Sequence, residues 1–81
     1  MEIELTPHRR GVILRGICFG AALREKSPEI SEENTVITCQ GELSMWDICC
    51  ISADAEAFGL EAHFGYEGVT KISFMPKKEK P

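Results

Sequence analysis

The chain has 81 residues, 43% of them hydrophobic and 27% charged, with nine Lys and Arg against 13 Asp and Glu and a net charge of −4. This is ordinary globular composition and excludes a chain disordered as a whole. It also excludes a membrane span of ~18 apolar residues, because Arg15 interrupts the longest near-apolar run, residues 11–23. A single domain of this length buries only about 60% of its unfolded surface, so net stability is expected at roughly 5–10 kcal/mol or less. Homodimerisation is a common way for so small a core to bury more, and it is expected here. Met1-Glu2-Ile3-Glu4 is the opposite of the basic start of a signal peptide, which points to a cytoplasmic protein.

Along the chain, Glu2-Ile3-Glu4-Leu5-Thr6 alternates as a half-buried strand does. Pro7 stops it, and His8-Arg9-Arg10-Gly11 reads as a turn. In residues 12–23 the apolar side chains scatter around a helical wheel, and Gly16 and Gly20 each cost a helix about 1 kcal/mol relative to alanine. A buried, bent strand is therefore favoured over a helix there. Ser27-Pro28-Glu29 has the form of a helix start, with an N-cap serine, proline at the first position and an acid in the first turn. It predicts a short helix over residues 28–33. Thr35-Val36-Ile37-Thr38-Cys39, β-branched at four of its five positions, is the clearest strand. Gln40-Gly41-Glu42 then turns the chain.

Residues 43–57 are ambiguous. Met45 to Ile51 has strand-like composition, whereas Leu43, Trp46, Cys50, Ala53 and Ala57 fall at helical spacing; a helix is favoured over at least 52–57. Phe58, Leu60, Ala62 and Phe64 alternate with Gly59, Glu61 and His63. Gly65-Tyr66-Glu67-Gly68 turns, and residues 69–75 return to complete a C-terminal hairpin that Pro76 ends. The expected fold is α+β: one domain over residues 1–76, with an antiparallel or mixed sheet of four to five strands and one or two short helices on one face. An all-β meander is the alternative. Residues 77–81 are expected to be a solvated, flexible basic tail.

No motif specifies a reaction, and no enzymatic activity, cofactor or metal is expected. Structural zinc uses paired ligands two to four residues apart; the chain has no Cys-x-x-Cys, and His8 and His63 are far apart. Of the four cysteines, 18, 39, 49 and 50, Cys18 lies between Ile17 and Phe19 and Cys49-Cys50 between Ile48 and Ile51, contexts that suit buried thiols, and all four are expected to be reduced and structural. Reactive thiolates need a cation or a helix N-terminus, and Cys49 and Cys50 lie in an acidic stretch without one. A Walker-type phosphate loop is absent too: Gly16-Ile17-Cys18-Phe19-Gly20 lacks the following Lys-Ser/Thr.

Length and coarse order, with a single cysteine at position 18 after the first strand and a C-terminal hairpin, resemble the TusA/SirA-like sulfur-carrier proteins. That family's reactive cysteine opens a helix in a Cys-Pro-x-Pro signature. The corresponding residues here are Cys18-Phe19-Gly20-Ala21, without either proline, so the likeness is one of topology. It implies an alternative function: a sulfur carrier or thiol-redox protein acting through Cys18 or the Cys49-Cys50 pair.

Charge carries the main functional expectation. Between Lys26 and Lys71 there is no Lys or Arg, yet nine carboxylates fall there: Glu29, Glu32, Glu33, Glu42, Asp47, Asp54, Glu56, Glu61 and Glu67. Such a stretch projects a negative field that governs partner choice rather than fold. The chain is expected to be a small non-enzymatic interaction or regulatory protein whose acidic surface engages a basic protein partner, with inhibition of that partner as the extreme form. Glu29, Glu32, Glu33, Glu61, Tyr66 and Glu67 are the candidate contact residues. Of the candidate aromatic anchors, Trp46 and Phe64 are expected in the core and Tyr66, in a turn, on the surface. Direct nucleic-acid binding is not expected, since only Arg9, Arg10 and the lysine tail offer cations for phosphate, and no membrane contact is expected.

Overall fold

A computed structural model describes residues 6–77. Its elements are α1 (Pro7–Phe19), β1 (Glu29–Ile30), β2 (Val36–Gln40), α2 (Met45–Ala57), β3 (Leu60–Tyr66) and β4 (Val69–Pro76). The strands form one antiparallel sheet in the order β1-β2-β4-β3, so the fold is α+β, with two helices and four strands among the described residues. The expected strand over residues 2–6 lies outside the described residues except for Thr6.

Thr6 caps α1. Its hydroxyl accepts from the Arg9 N–H at 3.2 Å, and Pro7 takes the first turn, where its missing N–H costs nothing. The turn expected at residues 8–11 and the bent strand expected over 12–23 are therefore replaced by a helix that runs to Phe19. Leu14, Ile17 and Cys18 face the sheet and are buried. Gly11 lets the first turn sit close to the β1–β2 connection. A β-carbon there would lie 3.1 Å from the Asn34 amide nitrogen, which itself donates to the Pro7 carbonyl at 3.1 Å.

The helix expected over residues 28–33 is also absent. Ser27 has φ +50°, incompatible with an N-cap, and Glu29 and Ile30 pair with Thr38 and Ile37 as β1. Ser31 then organises the turn into β2, its Oγ accepting from the N–H groups of Thr35 and Val36, each at 3.1 Å. Cross-strand pairing and burial of Ile30 against the core have overridden the local Ser-Pro-Glu signal.

β2 forms one residue later than the clearest strand prediction, and the C-terminal hairpin is present with Pro76 at its end. Gly68, at φ +79°, supplies the left-handed turn residue between β3 and β4. The ambiguous residues resolve as one helix. Ser44 Oγ accepts from Asp47 N–H at 3.1 Å, and the Asp47 carboxylate reaches back to Ser44 N–H at 3.4 Å, a capping box that fixes the start of α2. Lys77, assigned from sequence to the tail, donates its N–H to the Gly59 carbonyl at 2.9 Å and its ammonium reaches Glu56 at 3.4 Å.

Both helices lie on one face of the sheet. Ile37 and Cys39 of β2, Ile72 and Phe74 of β4 and Leu60 of β3 pack there against Leu14, Ile17, Leu23, Ile51 and Ala55. Thr70, the one buried polar residue among the described residues, donates its hydroxyl to the Gly41 carbonyl and holds the β2–α2 turn to β4. Arg10 ties α1 to the same strand through a 3.1 Å bond from its guanidinium to the Phe74 carbonyl. The other face of the sheet carries Glu29, Thr38, Lys71, Ser73, Glu61 and His63 and is open to solvent.

Phe74→Ala is expected to cost about 3–5 kcal/mol, enough to unfold much of so small a domain at 25 °C. Ser44→Ala should cost only about 1 kcal/mol by removing the cap of α2. Urea titrations followed by circular dichroism separate the two.

Candidate interaction surface

The outer sides of the two helices form the candidate surface. At 3.6 residues per turn, burying Leu14, Ile17 and Cys18 turns Val12, Gly16 and Phe19 of α1 outward. Val12 is 56% and Phe19 78% exposed. In α2, Ile51 and Ala55 face the core with Ile48 packed beside them, so Trp46, Cys49, Ala53 and Ala57 point away from the sheet. Trp46 is 77% exposed, a correction to its expected place in the core, and Phe58 at the end of the helix is 55% exposed. Between the helices runs an open groove of about 410 Å³, lined by Val12, Ile13, Gly16, Ile17, Asp54 and Phe58. Scattered exposed apolar residues are normal, but several large ones grouped on one layer mark an interaction site.

The two helices carry opposite charges. α1 contains Arg9, Arg10 and Arg15 and no acid, whereas α2 contains Asp47, Asp54 and Glu56 and no Lys or Arg. No ion pair joins them among the described residues, where the pairs found are Lys77–Glu56 and a 4.0 Å approach of His63 to Glu61. Arg9, Arg15 and Asp54 are all exposed.

The six candidate contact residues do not come together as one patch. Glu29 lies on the open sheet face, and Glu32 and Glu33 sit in the β1–β2 turn near the start of α1. Glu61 is the second residue of the outer strand, opposite Met75, while Tyr66 and Glu67 sit at the other end of the hairpin, about 20 Å away along the strand. Tyr66 is half exposed and borders a second, smaller cleft of about 140 Å³ with Glu42, Leu43 and Phe64. Phe64 packs against the core, as expected. Sequence reasoning missed Val12, Phe19 and Phe58; the Thr6-Pro7 cap signature was the signal that could have placed the first two on a helix.

The thiols divide. Cys18 and Cys39 are buried, Cys50 is half-buried and Cys49 is exposed, which corrects the buried place expected for Cys49-Cys50. Cys18 lies one residue before the end of α1 rather than at a helix start. Burial pushes its thiol pKa up, and neighbouring Cys39 adds to the rise. Burial raises Cys39 as well, against smaller lowering effects of the Thr70 hydroxyl and Lys26. Both shifts are opposite to what nucleophilic thiols use. Among the described residues no three His, Cys, Asp or Glu side chains gather as a metal site, and no helix is long and apolar enough to cross a membrane.

No known family, curated protein or solved structure matches the chain.

Two outcomes follow from the thiols. Iodoacetamide should modify Cys49 in the native protein and reach Cys18 and Cys39 only after denaturation, as peptide mass spectrometry can read. The raised thiols hold their protons longer in the folded state than in the unfolded chain. The unfolded chain therefore ionises first, and stability should fall as pH rises through and above the ordinary thiol value of 9.0. Cys39→Ser, followed by urea titration at several alkaline pH values, should flatten that decline.

Proposed function

We propose that this is a small non-enzymatic interaction protein whose acidic face, centred on α2, engages a basic protein surface. The observation that supports it most is the make-up of that helix: three carboxylates, no cation, and a tryptophan that is 77% exposed on the same element. Tryptophan is the residue most enriched at binding hot spots, because it brings large apolar area at little entropic cost. Carboxylates around it steer a cationic partner and discriminate against anionic ones. Trp46 and Phe58 are the anchors in this reading, and Asp54 and Glu56 the steering charges. Inhibition of the partner would follow if the covered surface is the partner's own working site.

The sulfur-carrier alternative draws on Cys49 alone, since that thiol is exposed while Cys18 is buried and held protonated. Cys49 lies on the outward side of α2, a helix that contains no Lys or Arg.

Affinity capture on the immobilised full chain tests the proposal. A basic protein should be retained, released by high salt, and lost with both Trp46→Ala and Asp54→Lys/Glu56→Lys. Capture that ignores salt and these substitutions, or retention of no basic protein, overturns it.

A further inference from the structure

We infer that the two-helix layer is a self-complementary interface and that a second copy of this chain covers it. The inference rests on the proposed interaction role of α2 and names the basic surface it meets as α1 of another copy. Three observations carry it.

The first is charge. Within one molecule the cations of α1 and the carboxylates of α2 lie on adjacent helices, yet among the described residues none of them pair with each other. A two-fold axis through the groove between the helices lays α1 of each molecule on α2 of the other. Arg9 and Arg15 then face the partner's α2, and Asp54, together with Glu56 beside its exposed Lys77 partner, faces the partner's α1. Any contact made once by such an axis is made twice, which is why self-complementary patches of this kind favour closed dimers.

The second is shape. The layer alternates projections (Phe19, Trp46 and Phe58) with low points at Gly16, Ala53 and Ala57. At Gly16 a β-carbon would meet nothing within 4 Å, so the floor of the groove is open to a side chain from outside. Two facing grooves, each about 410 Å³, would be filled by the apolar side chains that border them.

The third is area. Each 13-residue helix is about 20 Å long, and adjacent helices pack about 8–10 Å apart, so with side chains the pair presents roughly 20 × 20 Å. Before side-chain relief is counted, that is about half of the ~800 Å² per partner in a standard interface. The dimer should therefore be reversible and of micromolar affinity, not obligate.

Sedimentation equilibrium of the full chain over a concentration series reads the association, and four variants test its basis. The wild type should shift from monomer to dimer. Phe58→Ala, which removes the aromatic that borders the groove, should weaken the dimer by about tenfold or more. Gly16→Leu should do the same while raising thermal stability, because leucine is the better helix former and the fold leaves room for it. Arg9→Glu/Arg15→Glu and Asp54→Lys/Glu56→Lys should each be monomeric alone and should form a heterodimer when mixed, since each then offers the charge the other lacks. A wild type that stays monomeric at every concentration overturns the inference. So does a dimer indifferent to Gly16→Leu, or a failure of the two charge variants to associate. If the wild type is monomeric but still captures a basic protein through Trp46, this inference fails and the proposed function stands.

Discussion

One strand holds the molecule together. β4 lies between β2 and β3, and its Ile72 and Phe74 form the floor on which both helices rest. Arg10 fastens the start of α1 to the Phe74 carbonyl, and Thr70 fastens the β2–α2 turn to the other end of the same strand. Because apolar side chains alternate along β2, β3 and β4, only one face of the sheet can be buried. Both helices must therefore share that face. Each needs only a narrow stripe to cover it: Leu14, Ile17 and Cys18 on one, Ile48, Ile51 and Ala55 on the other.

What remains beyond those stripes is the part of the protein that other molecules meet. A helix whose outer side had only to dissolve would carry charged residues there. α1 and α2 instead turn Val12, Phe19, Trp46, Ala53 and Ala57 outward. The same residues explain why α1 is hard to find in the sequence. A helix is recognised by the contrast between its two sides, and apolar residues on the outside erase that contrast. The scatter around the wheel that argues for a strand over residues 12–23 is thus the mark of an exposed apolar surface. The surface and the misreading have one cause.

The cysteines show the same dependence on which side a residue faces. Cys49 and Cys50 are adjacent in sequence and in similar apolar company, yet the helical turn of α2 exposes one and half-buries the other. Cys18 and Cys39 come from different elements and meet in the core, where burial keeps both protonated. Local context indicates that a thiol is compatible with burial; only the packing says whether burial happens.

The sequence by itself favoured the α+β class over an all-β meander and determined the C-terminal hairpin, the strand at β2 and the division of charge along the chain. Those features rest on local chemistry: alternation with period two, β-branched runs, a glycine at a left-handed turn, and the absence of Lys and Arg between residues 26 and 71. The tertiary structure decided the rest. It made Thr6-Pro7 a helix start and Ser27-Pro28 the entry to a strand, although the two dipeptides carry nearly the same local signal. It also placed the basic helix beside the acidic one and left the tryptophan in solvent. Pairing across the sheet and burial against β4 outweigh local preferences of about 1 kcal/mol, and no local pattern records which residues those long-range contacts leave outside.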